Sequence, residues 1–490
     1  MNSPRTTADT PEQEGGPAAP RPVLIAMVLG FSSLCAALMQ SLVIPLQPEL
    51  PQLLDTPASN AAWVVTATLL AGGVAMPVAG RLADIYGRKP ILVASAVIML
   101  AGSIICALYS TIGPVLIGRI LQGFAMGYIP VAISFVREVT PPAMRNSAVA
   151  GISATLGVGG ALGLPIAAWI AQAFDWHMLF WLSAVLAAAM TVLSFLFLPQ
   201  ISPIDRGRFD FLGAVGLAVG IVGVLTGVSK GNDWGWTAPS TLISIIGGLV
   251  VLIGWGFFEA HHTHPLVDLR TTIRRPILLT NIAALLIGFG MMAQSIVVPQ
   301  LLQMPESTGY GLGQTMLQAG LWMAPGGLMM LAFTPISSRL LSTLGGRSTL
   351  VLGALVIAAG YVFAVFLAGA PWMLMIATCI ACAGVGIGYA AMPTLILENS
   401  PAAEAGSGVG VNALMRSMGT TTAGAVMAIV LTSQTVSNNG ISIPDEAAFR
   451  TCFIIGAAAA LAGALVVLLI KRGKPETHVV ETSEHAESIA

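Results

Sequence analysis

The segment GRLADIYGRKP, residues 80–90, places one aspartate, Asp84, between Arg81 and the Arg88–Lys89 pair where two long apolar runs meet. These residues can dock and release charge; they cannot make or break bonds. An aspartate near a helix N-terminus gains about 0.3–1 kcal/mol, and more when partly buried. Gly80 and Gly87 permit close helix approach and a tight reversal, while the basic residues hold the segment in water. Arg137 and Glu138, at the end of another apolar run, are expected to complete the cluster. The expectation is a conformational latch made of Gly80, Arg81, Asp84, Gly87, Arg88, Lys89, Arg137 and Glu138.

A second group of residues stands out because of where it is buried. Arg119 and Arg416 lie within apolar runs. A central arginine there costs about 2.5–3.5 kcal/mol, so each should face a polar interior and meet a partner. The dipeptide Gln40–Ser41 recurs as Gln294–Ser295, in QSLVIP and QSIVVP. A substrate cavity lined by both pairs is expected, against the plainer role of polar side chains that join neighbouring helices.

Chemistry of other kinds finds little support. The five cysteines, Cys35, Cys106, Cys379, Cys382 and Cys452, all fall in apolar runs, and the six histidines fall in loops or tails. No metal site, cofactor or disulfide framework is expected. Neither an acidic cluster nor a nucleophile with its base appears inside the runs, so an enzyme is not expected.

The elements that must position these residues follow from composition. Hydrophobic residues make up 56% of the 490 and charged residues only 9%, with a mean hydropathy of +0.85. That composition excludes a soluble domain and implies an all-α polytopic membrane protein. A bilayer core about 30 Å thick needs about 20 apolar helical residues per crossing. Runs of that length number fourteen, including 114–137, 316–337, 348–369 and 371–396. With an even count and both ends inside, only Lys230 and Arg450 among the loop Lys and Arg residues fall outside. The bias sets orientation, so both termini should be cytoplasmic. The net charge of −1 gives no reason to expect nucleic acid; the basic loops need only the anionic inner leaflet as partner.

The chain repeats. SRLLSTLGGRS, residues 338–348, is a copy of 80–90 displaced by 258 residues, with Ser342 where Asp84 stands. Glu138-Val-Thr-Pro-Pro-Ala likewise matches Glu398-Asn-Ser-Pro-Ala-Ala. The expected organisation is a disordered tail at 1–21, a six-helix bundle at 22–200, a two-helix insert with its loops at 201–275, a second six-helix bundle at 276–470 and a tail at 471–490. Two such bundles in pseudo-symmetric arrangement can rock about a site at the midplane.

On these residues the chain resembles the major facilitator superfamily, in its fourteen-span branch of drug/proton antiporters. GRLADIYGRKP fits the superfamily's loop between spans 2 and 3, and GRILQG, residues 118–123, resembles its span 4 motif, with Arg119, Gln122 and Gly123 at the key positions. Asp175-Trp176-His177-Met178-Leu179-Phe180, the Glu259–Asp268 connection, and Asn412 with Arg416 resemble the branch. The resemblance implies that Asp84 engages the start of span 13, near Gly406–Gly408, and that the cavity is lined by Gln40, Ser41, Arg119, Gln122, Gln294, Ser295, Asn412 and Arg416. Gly159, Gly160, Gly163 and Pro165 form a partial match to an antiporter helix motif, with Ala167 and Ala168 in place of the usual glycine pair.

Span 1 departs from the branch, with Ala36 where aspartate is usual and Ser41 where asparagine is usual. Any proton coupling is then expected to rest on Asp84, Arg137 and Glu138, leaving Arg119 for the substrate or a neighbouring amide. The function implied is secondary active export of amphipathic or hydrophobic small molecules by alternating access, with export of a lipid or natural product, or uptake of a polar metabolite, as alternatives. The expected partners are a small-molecule substrate, protons if transport is coupled, and the lipid bilayer. The expected location is the cell inner (plasma) membrane, as a monomer.

Overall fold

The computed structural model describes residues 22–43, 46, 49–201, 207–438 and 441–470. The two tails expected at 1–21 and 471–490 lie outside the described residues. In chain order the long helices are α1 (Pro22–Ser41), α2 (Trp63–Tyr86), α3 (Arg88–Leu108), α4 (Ile112–Phe124), α5 (Tyr128–Val139), α6 (Pro142–Ala173), α7 (His177–Phe197), α8 (Phe211–Trp234) and α9 (Pro239–His261). They continue with α10 (Arg275–Gln303), α11 (Met316–Ala332), α12 (Thr334–Phe366), α13 (Pro371–Gly388), α14 (Ala391–Asn399), α15 (Ala405–Ser433) and α16 (Glu446–Leu468). A two-stranded antiparallel hairpin, Thr435–Asn438 with Ile441–Pro444, joins the last two.

Thirteen helical stretches among the described residues are long and apolar enough to cross a bilayer. One of them, Met316–Phe366, has 51 residues. At about 1.5 Å per residue it would run more than twice the thickness of a bilayer core. Gly345, at φ 76° and ψ 168°, turns the chain within it and divides it into two crossings, giving fourteen. Gly87 makes the corresponding turn at φ 94° and ψ 151° between α2 and α3. A β-carbon disfavours this region of φ, so glycine recurs at both reversals.

The two expected crossings 114–137 and 371–396 are each interrupted. A 3₁₀ turn, Ala125–Gly127, separates α4 from α5, and Tyr389–Ala390 separates α13 from α14. Gly127–Tyr128 and Gly388–Tyr389 stand at these two breaks, 261 residues apart. Pro165 sits inside a continuous 32-residue α6.

Packing repeats as the sequence does. The pairs α1–α6, α3–α7 and α2–α4 of the first half recur as α10–α15, α12–α16 and α11–α13 of the second. The halves meet through α2 on α15 and α11 on α6, which are themselves equivalent pairs. The insert helices α8 and α9 pack on each other, and α8 lies against both α2 and α15, along the seam between halves. Leu217, Ile221 and Leu225 of α8 bury the seam residues Leu70, Val74 and Leu414.

Candidate functional site

The seam begins with two glycines. A side-chain carbon on Gly80 would overlap the carbonyl oxygen of Gly406, and one on Gly406 would lie 2.6 Å from the carbonyl oxygen of Gly80. The backbones of α2 and α15 therefore touch, which brings Asp84, one turn on, beneath the N-terminus of α15. Asp84 is 3% exposed. Its Oδ1 accepts from the Gly406 amide and its Oδ2 from the Ser407 amide, both at 2.9 Å. These are the second and third residues of α15, whose N–H groups have no partner inside the helix. The carboxylate satisfies both and also meets the positive end of the helix dipole.

Arg88 ties this contact into its own half. Its guanidinium lies 3.7 Å from Asp84, pairs with Glu138 and donates from Nε to Ser134 Oγ at 3.3 Å. Arg81 is buried within electrostatic reach of Asp84. Two expected members stand elsewhere. Lys89 lies over the Phe195 ring of α7, 5.7 Å from its centroid, since neighbouring residues on a helix do not share a face. Arg137 interacts not with Glu138 but with Glu398 of α14, in the other half. Glu398, the repeat counterpart of Glu138, thus stands at this end of the seam although it was outside the expected latch set.

The expected cavity set disperses. Arg119 is 2% exposed inside the first half, where its Nε donates to the Val64 carbonyl at 3.1 Å and its Nη1 to Gln122 Oε1 at 2.7 Å. Gln122 passes the chain on to Ser103 Oγ at 2.9 Å. Arg119 and Gln122 therefore tie α4 to α2 and α3 and are buried inside the first half, where a cavity-lining place was expected. Asn412 is also buried, donating to Asn281 Oδ1 of α10 at 3.0 Å within the second half. Ser41 donates to the Gly159 carbonyl at 3.1 Å, binding α1 to α6.

Gln40 is half-buried, Gln294 is buried and Ser295 is exposed. Gln40 lies 18 residues from the start of α1 and Gln294 lies 19 from the start of α10, which matches their equivalence. Each therefore sits past the middle of its helix. Of the antiporter-like residues, Gly159 and Gly163 give α1 its close approach to α6: side chains there would strike Ala37 and Ser41. Gly160 faces open space, and Pro165 approaches Gly320 of α11.

Arg416 alone among the expected cavity residues is a half-buried charge at mid-depth. Eleven residues into α15, or about 16 Å along it, its guanidinium lies over the Tyr389 ring, 4.6 Å from the centroid. Tyr389 sits at the α13–α14 break. That aromatic partner was missed from sequence, although its Gly–Tyr dipeptide matches the one at 127–128.

At the opposite end from the latch, the turn before α7 is held by charge as well. Asp175 Oδ1 accepts from the His177 amide at 2.8 Å and meets His177 Nδ1 at 2.5 Å, and His177 Nε2 pairs with Ser110 Oγ at 3.0 Å. The amide bond from His177, followed by the ring contact, holds the Asp175 carboxyl below the usual carboxylate range.

A paired-bundle fold of fourteen crossings, with a carboxylate seated across one end of its seam, has the architecture found among membrane transporters. The family model for the Major Facilitator Superfamily matches residues 29–424, and the chain belongs to that family. It is 29% identical over 340 residues to the Multidrug resistance protein B homolog of Mycobacterium tuberculosis (strain ATCC 25618 / H37Rv), covering 68% of this chain and 61% of that protein. It is 24% identical over 438 residues to the Lincomycin resistance protein LmrB of Listeria monocytogenes serovar 1/2a, covering 87% of this chain and 92% of that one. The chain thus spans about three-fifths of the first relative and nearly all of the second. The crystal structure of the human organic anion transporter MFSD10 (TETRAN) shares the fold, with a TM-score of 0.66 at 15% identity over 91% of this chain and 100% of that one.

Proposed function

We propose that this protein is a secondary active exporter of amphipathic or hydrophobic small molecules, working by alternating access as a monomer in the plasma membrane, with both termini cytoplasmic. The observation that carries the reading is the Asp84 carboxylate of one half seated on the free amides of α15 in the other. Such a contact holds one conformer and must break in the next. The Lys and Arg bias assigns the latched end to the cytoplasm. Past mid-depth, α15 turns its packing to its own half, with Gly419 against Leu285 of α10. The multidrug and lincomycin resistance proteins among its relatives support export.

Coupling to protons is assigned to the carboxylates at the latched end, Asp84 and Glu138, because span 1 offers Ala36 where its branch has an acid. Everted membrane vesicles test the reading directly. Substrate should accumulate inside them when a pH gradient is imposed and stop when it is collapsed. Accumulation only in right-side-out vesicles would make the protein an importer.

A further inference from the structure

The face of α15 that closes the seam also carries its one mid-depth charge. Ala413 packs against Met76 of α2 and Met126 of the 3₁₀ turn, both in the other half. Arg416 is one turn further along the same face, since residues three apart in a helix are neighbours. It is half-buried, so the seal that closes at Ala413 gives way at Arg416. Thr420, one turn beyond, is half-buried too and donates only to the Ser417 carbonyl of its own helix.

Arg416 has no carboxylate partner among the described residues, whose ion pairs all join other groups. Its partner is Tyr389, whose ring it overlies and with whose side chain it shares a hydrogen bond. A guanidinium has five N–H donors, so one such bond leaves others along its edge for a ligand. The acids that approach the seam, Asp84, Glu138 and Glu398, belong to the latched end, more than two turns below. Among the described residues the fixed charges at mid-depth are Arg119, bonded to Val64 and Gln122, and Arg416, whose partner is the neutral Tyr389.

We infer that Arg416 and Tyr389 form an anion subsite between the halves, and that the substrate is an organic anion, an apolar body bearing a carboxylate or sulfonate. The guanidinium edge takes the two oxygens as a fork. Tyr389 fixes the plane of that fork, and the thioethers of Met76 and Met126 offer an adaptable floor for the apolar part. A lipophilic cation would meet an unscreened positive charge at the same place. The inference rests on the export reading and gives it a substrate class.

Two xanthene dyes of similar shape and opposite charge, carboxyfluorescein and rhodamine 123, test it. Fluorescence anisotropy on the purified protein should register carboxyfluorescein binding at least tenfold tighter than rhodamine 123. Arg416→Gln should weaken carboxyfluorescein at least tenfold, Arg416→Lys by several-fold, since it keeps the charge but loses the fork, and Tyr389→Leu by several-fold. Should Arg416→Gln fail to insert, the lysine and leucine variants still read the site. Rhodamine 123 binding as tightly, or carboxyfluorescein binding untouched by every variant, would overturn the assignment. Vesicle uptake separates the two readings: anion binding without accumulation in everted vesicles sinks export and leaves the subsite standing.

Discussion

The two copies of the loop at 80–90 and 338–348 share a backbone and differ in what they grip. Both reverse at a glycine of positive φ, Gly87 and Gly345. In the first copy Asp84 is buried and crosses to the other half, onto the amides of Gly406 and Ser407. In the second, Ser342 is exposed and donates to Arg339 in its own helix, and only Ser338 crosses, in an exposed hydroxyl pair with Ser147 at 2.6 Å. Arg347, at the place of Lys89, turns to the Leu468 carbonyl at the end of α16, at 2.6 Å. A pseudo-symmetric fold thus closes one end of its seam with a buried charge on one side and exposed hydroxyls on the other.

Breaking the stronger side should have the largest effect. Asp84→Asn keeps the shape but leaves one α15 amide facing an amide nitrogen, and it removes the charge. Hydrogen bonds to a buried charge contribute about 1.5–3 kcal/mol, so the balance of conformers should shift by up to roughly a hundredfold. Vesicle transport is expected to fall at least tenfold at normal membrane abundance. Normal transport by a well-expressed variant would remove Asp84 from the mechanism. Gly80→Val attacks the same contact through space: its β-carbon meets a backbone carbonyl that cannot move aside. A tenfold loss is expected, again with intact insertion. The corresponding change at Ser338, already a side-chain position, should be tolerated.

The Asp84 contact with the start of α15 could be read in the sequence because charge is rare in this chain, because the duplication showed which copy lacks the acid, and because the resemblance named the helix it would meet. The fourteen crossings followed from run length and the placement of basic residues. Much of the cavity could not be read in the same way. Arg119 was expected to serve the substrate or a neighbouring amide; Gln122 is such an amide, but its other partner is the Val64 carbonyl, and every residue carries a carbonyl. No residue type announces that role, so only packing reveals it. Asn412 finds its partner Asn281 131 residues away, outside any motif. The breaks at 125–127 and 389–390 were hidden because apolar composition continues through them.

A smaller effect is expected where the latch meets its own half. Glu138 engages Arg88, which in turn faces Asp84. Glu138→Gln keeps a hydrogen-bonding group against Arg88 and removes its ionisation. Loss of the charge weakens the hold on Arg88, and if coupling rests there the variant should lose the pH dependence of transport. Maximal transport is expected to change by only a few fold. A vesicle pH profile decides: a Glu138→Gln profile that follows the wild type would make the residue structural and leave coupling elsewhere.

The smallest effect sharpens the comparison most. If sequence alone made the latch, Ser342→Asp would restore the missing acid and build a second one against α6. The helix starts argue otherwise. Gly406 and Ser407 are the second and third residues of α15 and have free N–H groups, whereas α6 begins at Pro142, so the equivalent Ser147 is its sixth residue. Only the first four N–H groups of a helix lack an internal partner, and the Ser147 amide is already bonded within α6. An aspartate at 342 would find no free amides at the matching place, and as an exposed group it would remain in water. Ser342→Asp should therefore transport within about twofold of wild type, and should leave the loss in Asp84→Asn unrepaired when the two changes are combined. Rescue of Asp84→Asn by Ser342→Asp would mean that the two sides of the seam are interchangeable, and that the position of the helix start does not decide which side latches.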